Sequence, residues 1–88
     1  MLHITEVRVL PEDNDRRLLH LRFNNGEEGE VDLSDDLHGP VFGPLHNRGL
    51  FSEVGLHPLF HTVTWPNGAD LAPEYLLDLL HGQRGRAA

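Results

Sequence analysis

The sequence predicts an α+β fold: a small antiparallel β-meander of about four or five strands, with short helices and a C-terminal helix packed on one face. Three observations predict it. Apolar and polar residues alternate along 17–23, an Asn-Asn-Gly turn follows, and leucines recur at helical spacing in 73–81. At 88 residues, the chain is expected to form one domain over residues 1–81, followed by a disordered tail at 82–88.

The first strand is expected within residues 2–9. Its apolar positions change phase near Thr5 and Glu6. This change indicates either a β-bulge or a strand that is covered on both faces. Residues 11–15 then form a turn, because proline presets one backbone angle and Asn and Asp tolerate tight conformations.

The next two strands form a hairpin around the turn at 24–26. A two-residue loop would place acids opposite the apolar residues of the second strand. We predict a three-residue loop with Gly26 in the left-handed region, because it matches apolar residues on one face and opposite charges on the other. The pairs set opposite each other are then Leu19 and Val31, Leu21 and Gly29, Arg22 and Glu28, and His20 and Glu30.

Two short helices are expected after the hairpin. Ser34 is the predicted N-cap of the first, whose two following aspartates suit the helix dipole, and Gly39-Pro40 is predicted to end it. Residues 41–45 form a helical turn or a loop. Asn47 is predicted to cap the second helix. Spacing places three apolar side chains on one face of that helix: Leu50, Phe51 and Val54.

The last strand is predicted at 61–65, with 54–56 as a weaker candidate for its antiparallel partner. Residues 65–68 suit a type I turn, because proline, asparagine and glycine occupy its second, third and fourth positions. The final helix is expected to begin with Pro73 and to end at Gly82.

Composition excludes several classes of function. Fourteen acids against seven arginines give a formal net charge of −7, which disfavours direct binding of DNA or RNA. The absence of cysteine excludes disulfides and thiolate sites. No apolar run is long enough for a membrane span, and the first residues do not resemble a secretory signal. We therefore expect a cytoplasmic protein.

The polar residues do not predict catalysis. His57 and His61 are four positions apart, but in an extended strand such residues lie about 13 Å apart, too far to share one zinc ion. The other histidines are scattered. Neither serine lies in a nucleophile elbow, and no phosphate-binding glycine motif occurs. We predict no enzyme activity, no catalytic residue, no metal site and no cofactor.

Two residues near the type I turn allow more than one interpretation. Trp65 is predicted to pack in the core; if it were exposed, it would form a recognition patch with Phe60 and Pro66. Asp70 is interpreted as a helix cap or as an acceptor for turn amides, in preference to a functional carboxylate.

The run 64–74 reads Thr-Trp-Pro-Asn-Gly-Ala-Asp-Leu-Ala-Pro-Glu. It resembles the signature of a family of small bacterial domains, domain of unknown function 2442, and the resemblance covers residues 3–79. The resemblance implies a stand-alone domain or one fused to a helix-turn-helix, and similarity to antitoxins encoded beside another small protein. It implies no catalytic residue. The candidate signature or interaction residues are Trp65, Pro66, Asn67, Gly68 and Asp70.

We expect a protein–protein interaction or regulatory module, antitoxin-like, with a basic partner encoded nearby. The acidic balance suits such a partner, and edge strands suit a homo-oligomer. One alternative is an accessory domain of a transcriptional regulator that acts through a DNA-binding partner. A second alternative is an enzyme or small-ligand binder without a recognisable motif.

Overall fold

A computed structural model describes residues 1–11 and 16–86, apart from the side chains of residues 84–86. Within these residues, five strands form two antiparallel sheets, one with the order β1-β2-β3 and one that pairs β4 with β5. Two 3₁₀ segments, Ser34–Asp36 and Gly43–His46, complete the fold. The α+β prediction is confirmed. The strands and helices are β1 (Ile4–Val9), β2 (Leu18–Phe23), β3 (Glu28–Asp32), α1 (Gly39–Phe42), α2 (Arg48–Phe51), β4 (Gly55–Leu56), β5 (Val63–Thr64) and α3 (Pro73–Arg86).

The phase change in β1 is a β-bulge. Ile4 lies opposite Phe23 and Glu6 lies opposite Arg22, so that Thr5 is an extra residue in the ladder. The bulge returns the apolar residues that follow it to the face of β1 that packs on the core. The turn predicted at 11–15 falls mostly on residues 12–15, which lie outside the described residues.

The hairpin between β2 and β3 has the predicted three-residue loop. The Phe23 N–H donates to the Glu27 carbonyl oxygen at 2.8 Å, and the Gly26 N–H donates to the Phe23 carbonyl oxygen at 3.1 Å. Gly26 has a φ of +90°, a conformation that favours glycine. The observed pairs are Leu18 with Asp32, Leu19 with Val31, His20 with Glu30, Leu21 with Gly29 and Arg22 with Glu28.

The outer face of this sheet carries an ion pair and a hydrogen bond that meet at Glu28. Its carboxylate lies 3.3 Å from Arg22 Nη2 and 3.1 Å from His20 Nε2. His20 lies opposite Glu30 in the ladder, as predicted, but its ring reaches diagonally to the Glu28 carboxylate. The hydrogen bond from His20 and the charge of Arg22 lower the pKa of the Glu28 carboxyl from its ordinary value.

The helical segments after β3 begin differently from the prediction. Ser34 is not an N-cap; instead the Asp32 carboxylate accepts from the N–H of Ser34 at 3.0 Å and from the N–H of Arg17 at 3.2 Å. Burial raises the Asp32 pKa, but these hydrogen bonds outweigh it and the net pKa is lowered. Gly39-Pro40 starts α1 rather than ending a helix, because proline is favoured in the first turn.

Two other expectations are confirmed. The Asn47 side-chain oxygen accepts from the Leu50 N–H at 3.0 Å and caps α2, which buries Phe51 in the core. The helix ends at Phe51, so Val54 lies beyond it and not on its face as predicted. Strands β4 and β5 pair as predicted, but β5 is shorter than the expected 61–65. His61 has a φ of +51°, which is incompatible with a strand.

Helix α3 continues past its predicted end at Gly82 to Arg86. A glycine inside a helix costs only about 1 kcal/mol, and a tertiary contact outweighs that cost. The Gln83 side-chain amide donates to the Asp32 carbonyl oxygen and accepts from the Asp32 N–H, each at 2.9 Å. This contact anchors the last turns of α3 to the edge of β3. Residues 87 and 88 lie outside the described residues.

The core lies between the three-stranded sheet, the short helices and α3. Leu76 and Leu80 of α3 are buried, and Leu77 and Leu79 pack against the core from its margin. The buried apolar residues are Ile4, Leu19, Leu21, Phe23, Val31, Leu33, Leu37, Leu45, Phe51, Val63, Trp65, Ala69, Leu76 and Leu80.

Candidate functional site

Trp65 belongs to the core, as predicted. Its side chain is 3% exposed, and its Nε1–H donates to the Phe51 carbonyl oxygen at 2.9 Å. The Trp65 and Phe51 ring centroids lie 5.9 Å apart. A buried indole with a satisfied N–H is a packing element. Trp65 therefore does not form the recognition patch that exposure would have created.

Residues 65–69 form a turn that is tied to a distant part of the chain. The Gly68 N–H donates to the Trp65 carbonyl oxygen at 3.0 Å, and Gly68 has a φ of +90°. The Asn67 side-chain oxygen accepts from the Ala69 N–H at 3.2 Å. Its amide nitrogen donates to the Val41 carbonyl oxygen at 2.9 Å. Asn67 thus fastens the turn to α1.

The same loop geometry occurs twice in the chain. In the hairpin loop 23–27 and in the turn 65–69, the first N–H donates to the last carbonyl oxygen and the fourth residue is a glycine with a φ of +90°. In each loop an asparagine precedes that glycine and accepts from the last N–H. The signature turn is therefore a bulged loop of the kind seen in hairpins, with an added contact to α1.

Asp70 lies on the surface and is not a helix cap. A helix capped by Asp70 would begin at residue 71, whereas α3 begins two residues later, at Pro73. The Asp70 backbone instead forms an isolated antiparallel bridge with Thr64. Among the described residues, its carboxylate accepts no hydrogen bond from a turn amide. Of the other signature residues, Pro66, Asn67 and Gly68 are exposed.

A second loop, residues 57–61, has an ordered backbone that sequence reasoning missed. His57 Nδ1 accepts from the N–H of Leu59 at 3.1 Å and of Phe60 at 3.2 Å. The His61 N–H donates to the His57 carbonyl oxygen at 2.9 Å. The His61 carbonyl oxygen accepts from the Ile4 N–H at 2.8 Å. These bonds hold the 57–61 loop in one conformation against the edge of β1.

This ordered loop presents apolar side chains to solvent. Leu59 is 75% exposed and Phe60 is 65% exposed, and Leu56 at its base is also exposed. The loop lies within residues 54–69, the longest stretch of the sequence without Asp, Glu, Lys or Arg. That stretch is the sequence signal that could have identified the site, since charged residues make up 24% of the chain.

Replacing His57 tests how the loop is held. His57→Ala is expected to lower the free energy of unfolding by about 0.5–2 kcal/mol, the usual cost of losing a side-chain cap. His57→Asn supplies an oxygen where Nδ1 accepts and is expected to lose less, although both variants lose the ring that packs on Phe60. Urea unfolding measures both. Equal losses would show that the acceptor does not stabilise the loop.

The histidines do not assemble a metal centre. In the part of the chain that the structure describes, no group of three or more His, Asp or Glu side chains is placed to hold a metal ion. The His3 and His61 rings lie against each other with centroids 4.5 Å apart. The nearby His57 uses Nδ1 for the loop amides. These histidines support the loop and the start of β1.

The adjacent acids Asp35 and Asp36 differ in their contacts. The Tyr75 hydroxyl donates to the Asp36 carboxylate and connects α3 to the 3₁₀ segment at 34–36. This hydrogen bond, together with partial burial and the charge of Asp36, raises the pKa of the Tyr75 phenol. The hydrogen bond between Tyr75 and Asp36 is therefore a tertiary contact.

Asp36→Asn is expected to lower the Tyr75 pKa toward its ordinary value. Because the phenol pKa is raised in the folded state, the interaction with Asp36 stabilises the fold at pH values below the unfolded phenol pKa of about 10. This contribution is lost as the pH rises through the folded pKa. Phenolate absorbance reports the titration directly, since Tyr75 is the only tyrosine. Asp35→Asn is the control and should leave the titration unchanged. Identical curves for both variants would contradict the assignment.

No helix in the described part of the chain has the length and apolar character needed to cross a membrane. No curated protein and no solved structure matches the sequence. The family described as Protein of unknown function (DUF2442) matches residues 4–82, which is nearly the whole chain. The resemblance carried by the Trp-Pro-Asn-Gly run is thereby confirmed, and the chain belongs to the DUF2442 family.

Proposed function

We propose that this protein is a protein–protein interaction module. The observation that carries the proposal is the 57–61 loop, in which an ordered backbone exposes Leu59 and Phe60 to solvent. Exposed apolar side chains gain free energy when a partner buries them. A backbone that is already ordered loses little conformational entropy on binding.

The partner that we propose is a small cytoplasmic protein encoded beside this chain, regulated by it in an antitoxin-like manner. The net charge supports a basic surface on that partner, because this chain carries a formal charge of −7. None of its acids lies within residues 54–69, so the basic residues of the partner would face the surface outside the loop. Opposite charges around an apolar contact accelerate association and orient the two surfaces.

Co-expression tests the proposal. The full chain, carrying an affinity tag, is produced together with each protein encoded beside it and is also recovered from its native cell at physiological salt. We expect one small protein to co-purify in a fixed ratio, with an association rate that falls as salt is raised. Recovery of the chain alone in both settings would overturn the interaction role. A complex containing only copies of this chain would overturn the proposed regulation of a neighbour.

A further inference from the structure

The 57–61 loop has the composition of the centre of a protein interface. Such centres contain few charges and are enriched in aromatic side chains, whereas polar residues surround them. The loop provides one aromatic and one aliphatic anchor, Phe60 and Leu59, and no formal charge lies within residues 54–69. A surface that buried charged groups against this loop would leave those groups without partners, so the receiving surface is expected to be uncharged.

The loop is also preorganised for insertion. Its amides at Leu59, Phe60 and His61 already donate within the loop, and the His61 carbonyl oxygen accepts from β1. His61 holds a left-handed conformation that is uncommon for a residue other than glycine. Binding therefore needs no new partner for these amides, and the exposed side chains of Leu59 and Phe60 are free to make the contact.

We infer that Leu59 and Phe60 insert into an uncharged apolar cleft on a different protein, with the basic residues of that protein outside the cleft. This inference rests on the proposed function and names the part of the surface that performs it. A second copy of the chain is a poorer occupant. Two copies each carry −7, so like charges oppose their approach, whereas a partner with basic residues is attracted.

Photo-crosslinking in the native cell locates the contact. The photoreactive amino acid benzoylphenylalanine replaces Phe60 in one full-length variant and Tyr75 in a control variant. Tyr75 is an exposed aromatic residue on α3, whose hydroxyl donates to Asp36. We expect the Phe60 position to yield one covalent product containing a second, different protein, and the Tyr75 position to yield none with that protein. A product made only of this chain, or no product at the Phe60 position, would overturn the inference.

Binding of the purified crosslinked protein then tests the two anchors. Leu59→Ser and Phe60→Ser are each expected to weaken binding at least about 30-fold, as truncation of a central anchor does. Val41→Ser is the matched control, because Val41 is also an exposed apolar residue but lies on α1. Val41→Ser is expected to bind like the unmodified chain.

Folding of each variant is checked independently. The single tryptophan is buried, so its fluorescence and the thermal midpoint report whether the core is intact. Leu59 is mostly exposed, and Leu59→Ser should leave the tryptophan fluorescence and the thermal midpoint unchanged. Phe60→Ser also removes the ring that packs on His57, so we expect unchanged fluorescence and a slightly lower thermal midpoint. Normal binding by folded Leu59→Ser and Phe60→Ser variants would overturn the inference while leaving the interaction role in place. Failure of the unmodified chain to bind any partner would instead overturn the proposed function.

Discussion

Replacing Trp65 with alanine is expected to lower the free energy of unfolding by about 3–5 kcal/mol. The change removes a buried indole, its packing on Phe51 and the hydrogen bond to the Phe51 carbonyl oxygen. A domain of this length has about 4–13 kcal/mol of stability in total, so the loss is a large fraction of it and would leave the variant largely unfolded at the lower end of that range.

Trp65→Phe separates packing from hydrogen bonding. It keeps an aromatic ring beside Phe51 but leaves the Phe51 carbonyl oxygen without its indole donor, and we expect a smaller loss than for alanine. Urea unfolding followed by circular dichroism measures both variants, because neither retains the fluorescence of tryptophan. A loss below about 1 kcal/mol for Trp65→Ala would contradict the core role.

Asn67→Ala is expected to lower the free energy of unfolding by about 1–3 kcal/mol, since two hydrogen bonds are lost at about 0.5–1.5 kcal/mol each. One bond closes the turn through the Ala69 N–H, and the other reaches the Val41 carbonyl oxygen. The chain contains its own control. Asn25 closes the hairpin loop in the same manner, but its amide nitrogen donates to the neighbouring Glu27 side chain.

Asn25→Ala is therefore expected to lose less than Asn67→Ala, and the difference measures the contact with α1. Asn67→Asp refines the comparison, because it keeps the oxygen that accepts from Ala69 and removes the donor to Val41. Urea unfolding of the three variants is the measurement. If Asn25→Ala and Asn67→Ala cost the same, the contact between Asn67 and Val41 contributes no stability.

Most residues of the signature turn therefore have a structural role in this chain. Trp65 fills the core, Gly68 adopts the conformation that the loop requires, and Asn67 joins the turn to α1. Pro66 and Asp70 are also exposed, and they remain candidate interaction residues. Leu59 and Phe60, on the 57–61 loop outside the signature run, are more exposed than any other large hydrophobic residue except Met1.

Local features were the most predictable from sequence. The three-residue hairpin loop follows from matching apolar residues on one face and charges on the other. The Asn47 cap and the phase change at Thr5 likewise depend on residues close in the chain. Ser34 and Gly39-Pro40 were misassigned because the same residue types can begin or end a helix, and contacts elsewhere decide between these roles.

The candidate site was harder to predict, since it depends on which apolar side chains the fold leaves outside. Val63 and Phe60 are both apolar and lie close in sequence, yet Val63 is buried and Phe60 is exposed. Alternation suggested one continuous strand from His61. The hydrogen bond from the Ile4 N–H to the His61 carbonyl oxygen instead joins the turn at His61 to β1.

The sequence alone determined the fold class, the hairpin register, the capped helix α2 and the family, because each depends on short-range spacing or on a contiguous run of residues. Only the tertiary structure decided the length of α3, the diagonal pairing of His20 with Glu28 and the exposure of the 57–61 loop. Gln83 meets Asp32 and Ile4 meets His61 across long separations in the chain. Such contacts form only when the packed core brings the segments together, so local propensity does not reveal them.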